Sequence, residues 1–227
     1  MLGFLGQNGR NHVEDTLLSA LGAIDTGVMS GIVAGTRVAT SRGWQPVEDL
    51  VEGDAVLTFD NGLVPVRSIR RAPLWSGRRT CPAHARPLHV PAGVLDNREA
   101  MIVLPHQGLV VESDAAERTL GDPFAIVRAE ALAGVCGIRW VAPDSPVEVF
   151  VLAFDQDEIV FTAHGALCIC GAAGDLVARI ATADPGADYR MLTQDNDAAL
   201  IAAIREEIAA AGAGATFDDM GDMARVA

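Results

Sequence analysis

The chain of 227 residues contains no lysine, so all 17 of its basic residues are arginine. Without an ammonium side chain it has neither a Schiff-base former nor the lysine of a phosphate-cradling loop. Acidic residues number 30, which leaves a net charge of −13. Its arginines are scattered, so the electrostatic footprint of a nucleic-acid or anionic-membrane binder is absent. The densest basic group, Arg67, Arg70, Arg71, Arg78 and Arg79, is read as solvating a turn or pairing with local acids. Cysteine is also sparse: Cys81, Cys136, Cys168 and Cys170 are too few and too unevenly spaced for a disulfide framework. No apolar run approaches the ~18–20 residues of a membrane-spanning helix. The N-terminal MLGFLGQNGR begins with an apolar stretch of about five residues, has no basic region before it and meets polar residues at once, unlike a secretory leader. The expected location is therefore the cytoplasm. No nucleophile elbow and no dinucleotide fingerprint occur, and Trp44, Trp75 and Trp140 are too dispersed for a stacking platform.

What remains is a chain that is 50% hydrophobic, enough for a sizeable core. Its periodicity changes twice. In 13–25, VEDTLLSALGAID, Val13, Leu17, Leu18, Leu21 and Ile24 follow helical spacing, which predicts a short amphipathic helix. From residue 32 the period becomes two. The runs TRVAT, AVLTF and VPVRSI are separated by turn signals, of which Asn61-Gly62 is the strongest hairpin mark. Further short strands are expected in PLHVPA, AMIVLP, GLVVES, FAIVRA, GIRWVA, VEVFVLAF, EIVFTA and ALCICGA. Many short strands with glycine, proline and aspartate turns predict an all-β domain. After Asp184-Pro185-Gly186 the spacing of Leu200, Ile201, Ile204 and Ile208 predicts a helix over 195–211. The expected organisation is a helical segment at 1–30, a β domain at 31–182, a second helical segment at 183–211 and an acidic flexible tail at 212–227.

The stretch AGTRVATSRGWQPVEDLVEGDAVLTFDNGLVPVRSI (34–69) resembles the opening of a Hint domain, the fold shared by Hedgehog C-terminal domains and inteins. It is most similar to bacterial Hedgehog/intein-like proteins. Gly35-Thr36, Gly43, Pro46 to Leu50, Gly53-Asp54 and Val56 to Thr58 carry the resemblance, which continues through 88–113 and 147–170. It implies a flattened all-β disc with pseudo-two-fold symmetry, here flanked by a short N-terminal and a longer C-terminal helix. It also implies an acyl shift, in which a first-position cysteine or serine attacks the preceding carbonyl and a histidine protonates the leaving amine.

The first position is occupied by Gly31, which has no side chain; Ser30, one residue earlier, is the substitute nucleophile. In the block that usually reads Ser-Pro-x-His, the chain has Leu104-Pro105-His106-Gln107. Gln107 takes the histidine's place, and His106, next to it in a strand, would face away. The closing block reads Ala163-His164-Gly165, with no His-Asn pair downstream. The resemblance thus implies a Hint fold acting as a structural or protein-interaction module within a larger assembly. The alternative is self-cleavage through Ser30. Cys168 and Cys170 share one strand face, and with Cys81 and His84, and His89 or His164 in reserve, they are the candidate zinc ligands. Against zinc, Cys-x-Cys is a tight spacing and buried structural thiols are common, so no cofactor is expected. Glu112, Asp114 and Glu117 read as an exposed turn rather than a cation site.

Overall fold

The computed structural model describes residues 30–75, 80–172 and 189–223. The helix predicted over 13–25 lies outside them, as do Arg78 and Arg79. The described residues form two sheets. One has the order β11 (Arg139–Trp140), β7 (Leu88–Val90), β8 (Met101–Val103), β1 (Ile32–Val33), β12 (Glu148–Ala153) and β6 (Ser68–Pro73). The other runs β15 (Met191–Leu192), β10 (Phe124–Arg128), β9 (Gly108–Glu112), β14 (Ala166–Cys170), β13 (Glu158–Thr162), β2 (Arg37–Thr40), β4 (Ala55–Thr58) and β5 (Gly62–Pro65), with β3 (Gly43–Pro46) paired to β2. This is the expected architecture of many short strands, and no helix among the described residues is long and apolar enough to cross a membrane.

Strand alternation explains where the core lies. In the larger sheet, Val160, Cys168, Leu109, Val127 and Leu192 are cross-strand partners in one continuous row. All five are buried in the main hydrophobic cluster. One residue along each strand, the side chains point to the opposite face. The corresponding row there is Phe161, Leu167, Val110, Ile126 and Met191. That row is apolar as well.

Several local readings change. Val64 to Ile69 does not form one strand: the chain leaves β5 at Pro65, and Val66 N–H and Arg67 N–H bond to the carbonyls of Asp54 and Ala153 before β6 starts. The 55–65 hairpin forms, but its loop is Phe59-Asp60-Asn61 followed by Gly62 at φ +67°, a three-residue connection ending in a left-handed glycine. Asn61, itself exposed, donates to the buried Glu158 carboxylate at 3.0 and 3.2 Å. Arg71 pairs with Glu148 across β6 and β12, and Arg67 pairs with Asp155 beside these strands, so both find acids 77 and 88 positions away rather than local ones.

The acidic stretch at 112–117 is helix rather than turn: α1 spans Asp114–Leu120. Ser113 caps it by accepting from Ala116 N–H at 3.2 Å, and Gly121 closes it in the left-handed conformation. The signal was present in Ser113-x-x-Ala116, with Asp114 and Glu117 in the first turn, where the helix dipole favours acids. The C-terminal helix α2 spans Gln194–Met223, with non-helical backbone at Asp197, and so continues past residue 211. Glu207 of α2 docks on the start of α1: it accepts from Ser113 Oγ and from Ala115 N–H at 3.0 Å, and pairs with Arg118. These bonds hold its carboxyl below the usual range.

Gly165 closes the β13–β14 hairpin where a Cβ would lie 2.0 Å from the Asp96 carbonyl oxygen. Gly165→Ala should therefore destabilise the fold by about 3 kcal/mol. Gly53→Ala has positive φ but open space around it, and should cost about 1–2 kcal/mol. Equal losses in urea unfolding of the two variants would contradict this packing.

Candidate functional site

The chain enters the smaller sheet at Gly31, immediately before β1. Its N–H donates to Gln107 Oε1 at 2.7 Å. Pro105 and His106 occupy a tight turn between β8 and β9, closed by Gln107 N–H to the Leu104 carbonyl at 3.0 Å. That turn, rather than a strand, sends the two neighbouring side chains apart. His106 points outward, 3.7 Å from Glu130, while Gln107 is buried. The Gln107 amide nitrogen donates to the carbonyls of Ile169 at 2.8 Å and Gly108 at 3.1 Å. One side chain thus joins the start of the smaller sheet to β14 of the larger.

Around this junction is a cleft of about 10 Å³ lined by Gly31, Thr36, Gln107, Thr162 and Cys168 among others. That volume holds about one water. The φ of Gly31 is +134°, and a Cβ there would lie 2.8 Å from Val149 Cγ1, 3.1 Å from the Phe150 carbonyl oxygen and 3.2 Å from Val151 Cγ2. The space a nucleophile's first carbon requires is already filled. Thr162 Oγ1 lies 3.3 Å from both Cys168 Sγ and the Ala166 carbonyl oxygen. Burial pushes the Cys168 thiol up to about 11, against a smaller opposing effect of the Thr162 hydrogen bond. At neutral pH about one thiol in 10⁴ is ionised, and the thiol form is a poor nucleophile. Sequence reading treated Cys168 as a zinc candidate and did not place it in this cleft; only the register of β14 against β13 and β9 does so.

The remaining candidates are dispersed. Ser30 is exposed and does not line the cleft. His164 sits at the tip of the β13–β14 hairpin with φ +58°. Its ring stacks at 4.5 Å on Trp44, and Nε2 is 3.4 Å from Glu99, an ion-pair distance without hydrogen-bond geometry. His89 contacts Arg139 at 3.0 Å. Cys168 and Cys170 share the inner face of β14, as their spacing requires, and burial pushes the Cys170 thiol up strongly. Cys81 packs in a different cluster with Leu74, Trp75, Leu104 and Val149. His84 lies in the short turn Ala83–Ala85. Among the described residues no group of three or more potential metal ligands converges. A larger cavity of about 650 Å³ lies between α2 and the 129–132 turn, lined by Arg128, Glu130, Trp140 and Arg205 among others.

The Hint domain profile matches residues 31–168, and the chain belongs to the Hint domain family. No curated protein sequence matches it. Among solved structures, it is similar to a splice-inactive, glutathione-linked AceL NrdHF class 3 split intein: 16% identity, TM-score 0.41, covering 64% of this chain and 99% of that one. A bacterial intein-like domain from Clostridium thermocellum gives 17% identity and TM-score 0.44, covering 62% and 98%. The gp41-1 intein gives 10% and 0.36, covering 60% and 97%.

Two outcomes check this geometry. Gln107→Ala takes this partner from the Gly31 N–H and from the Ile169 and Gly108 carbonyls, and should destabilise by about 2–3 kcal/mol in urea unfolding. Cys168 keeps its proton in the fold up to about pH 11, whereas its ordinary value is 9.0. Stability is therefore undiminished below about pH 9 and falls as the pH rises through about 11, by about 3 kcal/mol from this thiol. Cys168→Ser, measured from pH 8 to 11, should flatten that decline.

Proposed function

We propose that this Hint domain does not process itself and serves as a structural or protein-interaction module. The observation that carries the reading is the filled and tethered first position. Gly31 has no side chain, its Cβ space is taken by Val149, Phe150 and Val151, and its amide is held by Gln107. In the acyl shift of the family, the first residue must supply a nucleophile and its amide must become a leaving amine that accepts a proton. Gln107 is an amide and does not titrate; it hydrogen-bonds the N–H and transfers nothing. The neighbouring Cys168 is held neutral and already engaged with Thr162. His106 and His164 face Glu130 and Glu99, and neither lines the cleft. These features support retention of the fold for its framework.

The test is the intact mass of the purified chain after prolonged incubation with and without dithiothreitol or hydroxylamine. A single unchanged mass is expected in each case. Fragments ending near residue 30, abolished by Ser30→Ala, would instead establish self-cleavage by the neighbouring serine. Gly31→Cys should give no cleavage either and should destabilise by about 1–3 kcal/mol, because the new Cβ overpacks against β12. Cleavage by Gly31→Cys at wild-type stability would overturn the reading of a filled site.

A further inference from the structure

The cavity of about 650 Å³ beside α2 has the size of a small-molecule site. Ala198, Ile201, Ala202 and Arg205 follow helical spacing, so one face of α2 forms a wall of it. Alanine at 198 and 202 leaves that wall hollow. Trp140 comes from β11 of the smaller sheet and Arg128 from the end of β10 in the larger. The parallel register Val127↔Leu192 sets Arg128 beside Thr193, each being the next residue along. Charge in the lining is unbalanced. Among the described lining residues, Arg128 and Arg205 meet one acid, Glu130, in a chain whose net charge is −13. Glu130 lies 3.7 Å from Arg128 Nη1 and 3.7 Å from His106 Nε2, ion-pair distances beyond hydrogen bonding. Asp197, near the start of α2, is held by Arg190 and by the Thr193 N–H at 3.0 Å. Arg205 is positioned by donating Nη1 to the Ala131 carbonyl. Two polar atoms of the lining residues, Arg128 Nε and Thr193 Oγ1, are shut off from solvent and have no hydrogen-bond partner among the described residues. Such atoms destabilise a fold until something satisfies them.

We propose that this cavity binds a small organic carboxylate with an apolar body, its charge held by Arg128 and Arg205 and its body lying against Trp140 and the alanine hollow of α2. A guanidinium fork matches the two oxygens of a carboxylate donor for acceptor. The Thr193 hydroxyl adds a further donor, and a side-chain rotation brings it and the Arg128 Nε–H to an acceptor in the cavity. Trp140 is 44% exposed and offers a flat apolar surface. An inorganic anion would use the arginines and leave Trp140, Ala198 and Ala202 wet. An uncharged apolar molecule would leave the guanidinium groups without an acceptor. A carboxylate carrying an aromatic or aliphatic body meets both demands. The inference is independent of whether the domain self-processes, because no described residue lines both this cavity and the cleft at Gly31.

The test is an NMR titration of the full, ¹⁵N-labelled chain with phenylacetate and with hexanoate, following the Trp140 indole N–H and the amides of 128–131 and 193–205. At least one of the two should shift these signals saturably, with a Kd of about 1 mM or tighter. Phenylacetamide, which keeps the ring and loses the charge, and inorganic phosphate, which keeps charge and loses the body, should each bind at least about ten-fold more weakly. Arg128→Gln should weaken the carboxylate at least about ten-fold. Ala202→Phe, which fills the hollow and alters no charge, should do the same while the spectrum of the β strands stays as in the wild type. The absence of a saturable shift with either carboxylate up to about 20 mM would overturn the proposal. So would phenylacetamide or phosphate binding as tightly as the carboxylate, or undiminished binding to the folded Arg128→Gln and Ala202→Phe variants.

Discussion

The amide of Gln107 is the interaction on which the centre of this domain depends. Its oxygen takes the N–H of Gly31, and its nitrogen gives one proton to Ile169 and one to Gly108. A single buried side chain, fully satisfied, thereby ties the first residue of the smaller sheet to two strands of the larger. Buried polar groups are stabilising under this condition, when every donor and acceptor has its partner. The tight Pro105-His106 turn makes the arrangement possible because it separates His106 and Gln107 onto opposite sides.

The character of the site follows from that junction. With Gly31 pressed against β12, the cleft shrinks to the size of one water. The thiol and hydroxyl that border it satisfy each other, and low polarity keeps the thiol protonated. A reactive centre needs space for a nucleophile and a group that titrates near neutrality. Here the same positions hold a backbone amide still. Glu207 does for α2 what Gln107 does for β1, binding a distant segment through the Ser113 hydroxyl and the Ala115 backbone N–H at the start of α1.

Much of the fold was legible in the sequence because its signals are local. Period-two runs marked most strands, and the spacing of Leu200, Ile201, Ile204 and Ile208 marked the C-terminal helix. Ordered glycine and acidic turns carried the Hint resemblance. The departures are also physical. The acids at 112–117 look like a solvated turn until Ser113 is recognised as a cap, and the break at Val66-Arg67 arises from pairing with Asp54 and Ala153, far along the chain or across a turn. At the site, the identities of Gly31 and Gln107 could be read, but not their contact across 76 positions. Cys168 illustrates the limit most clearly: the sequence shows two thiols on one strand face, while only the sheet register puts one of them beside Gly31.

The most direct measurement is the exchange rate of the Gly31 amide proton by NMR, in the wild type and in Gln107→Leu. The account predicts a Gly31 amide protected like the core strands in the wild type and exchanging at least about a hundred-fold faster once the acceptor is gone, with the protection of β13 and β14 retained. A Gly31 amide that already exchanges as freely as an unstructured residue in the wild type would contradict it, because the first position would then be untethered and open to chemistry.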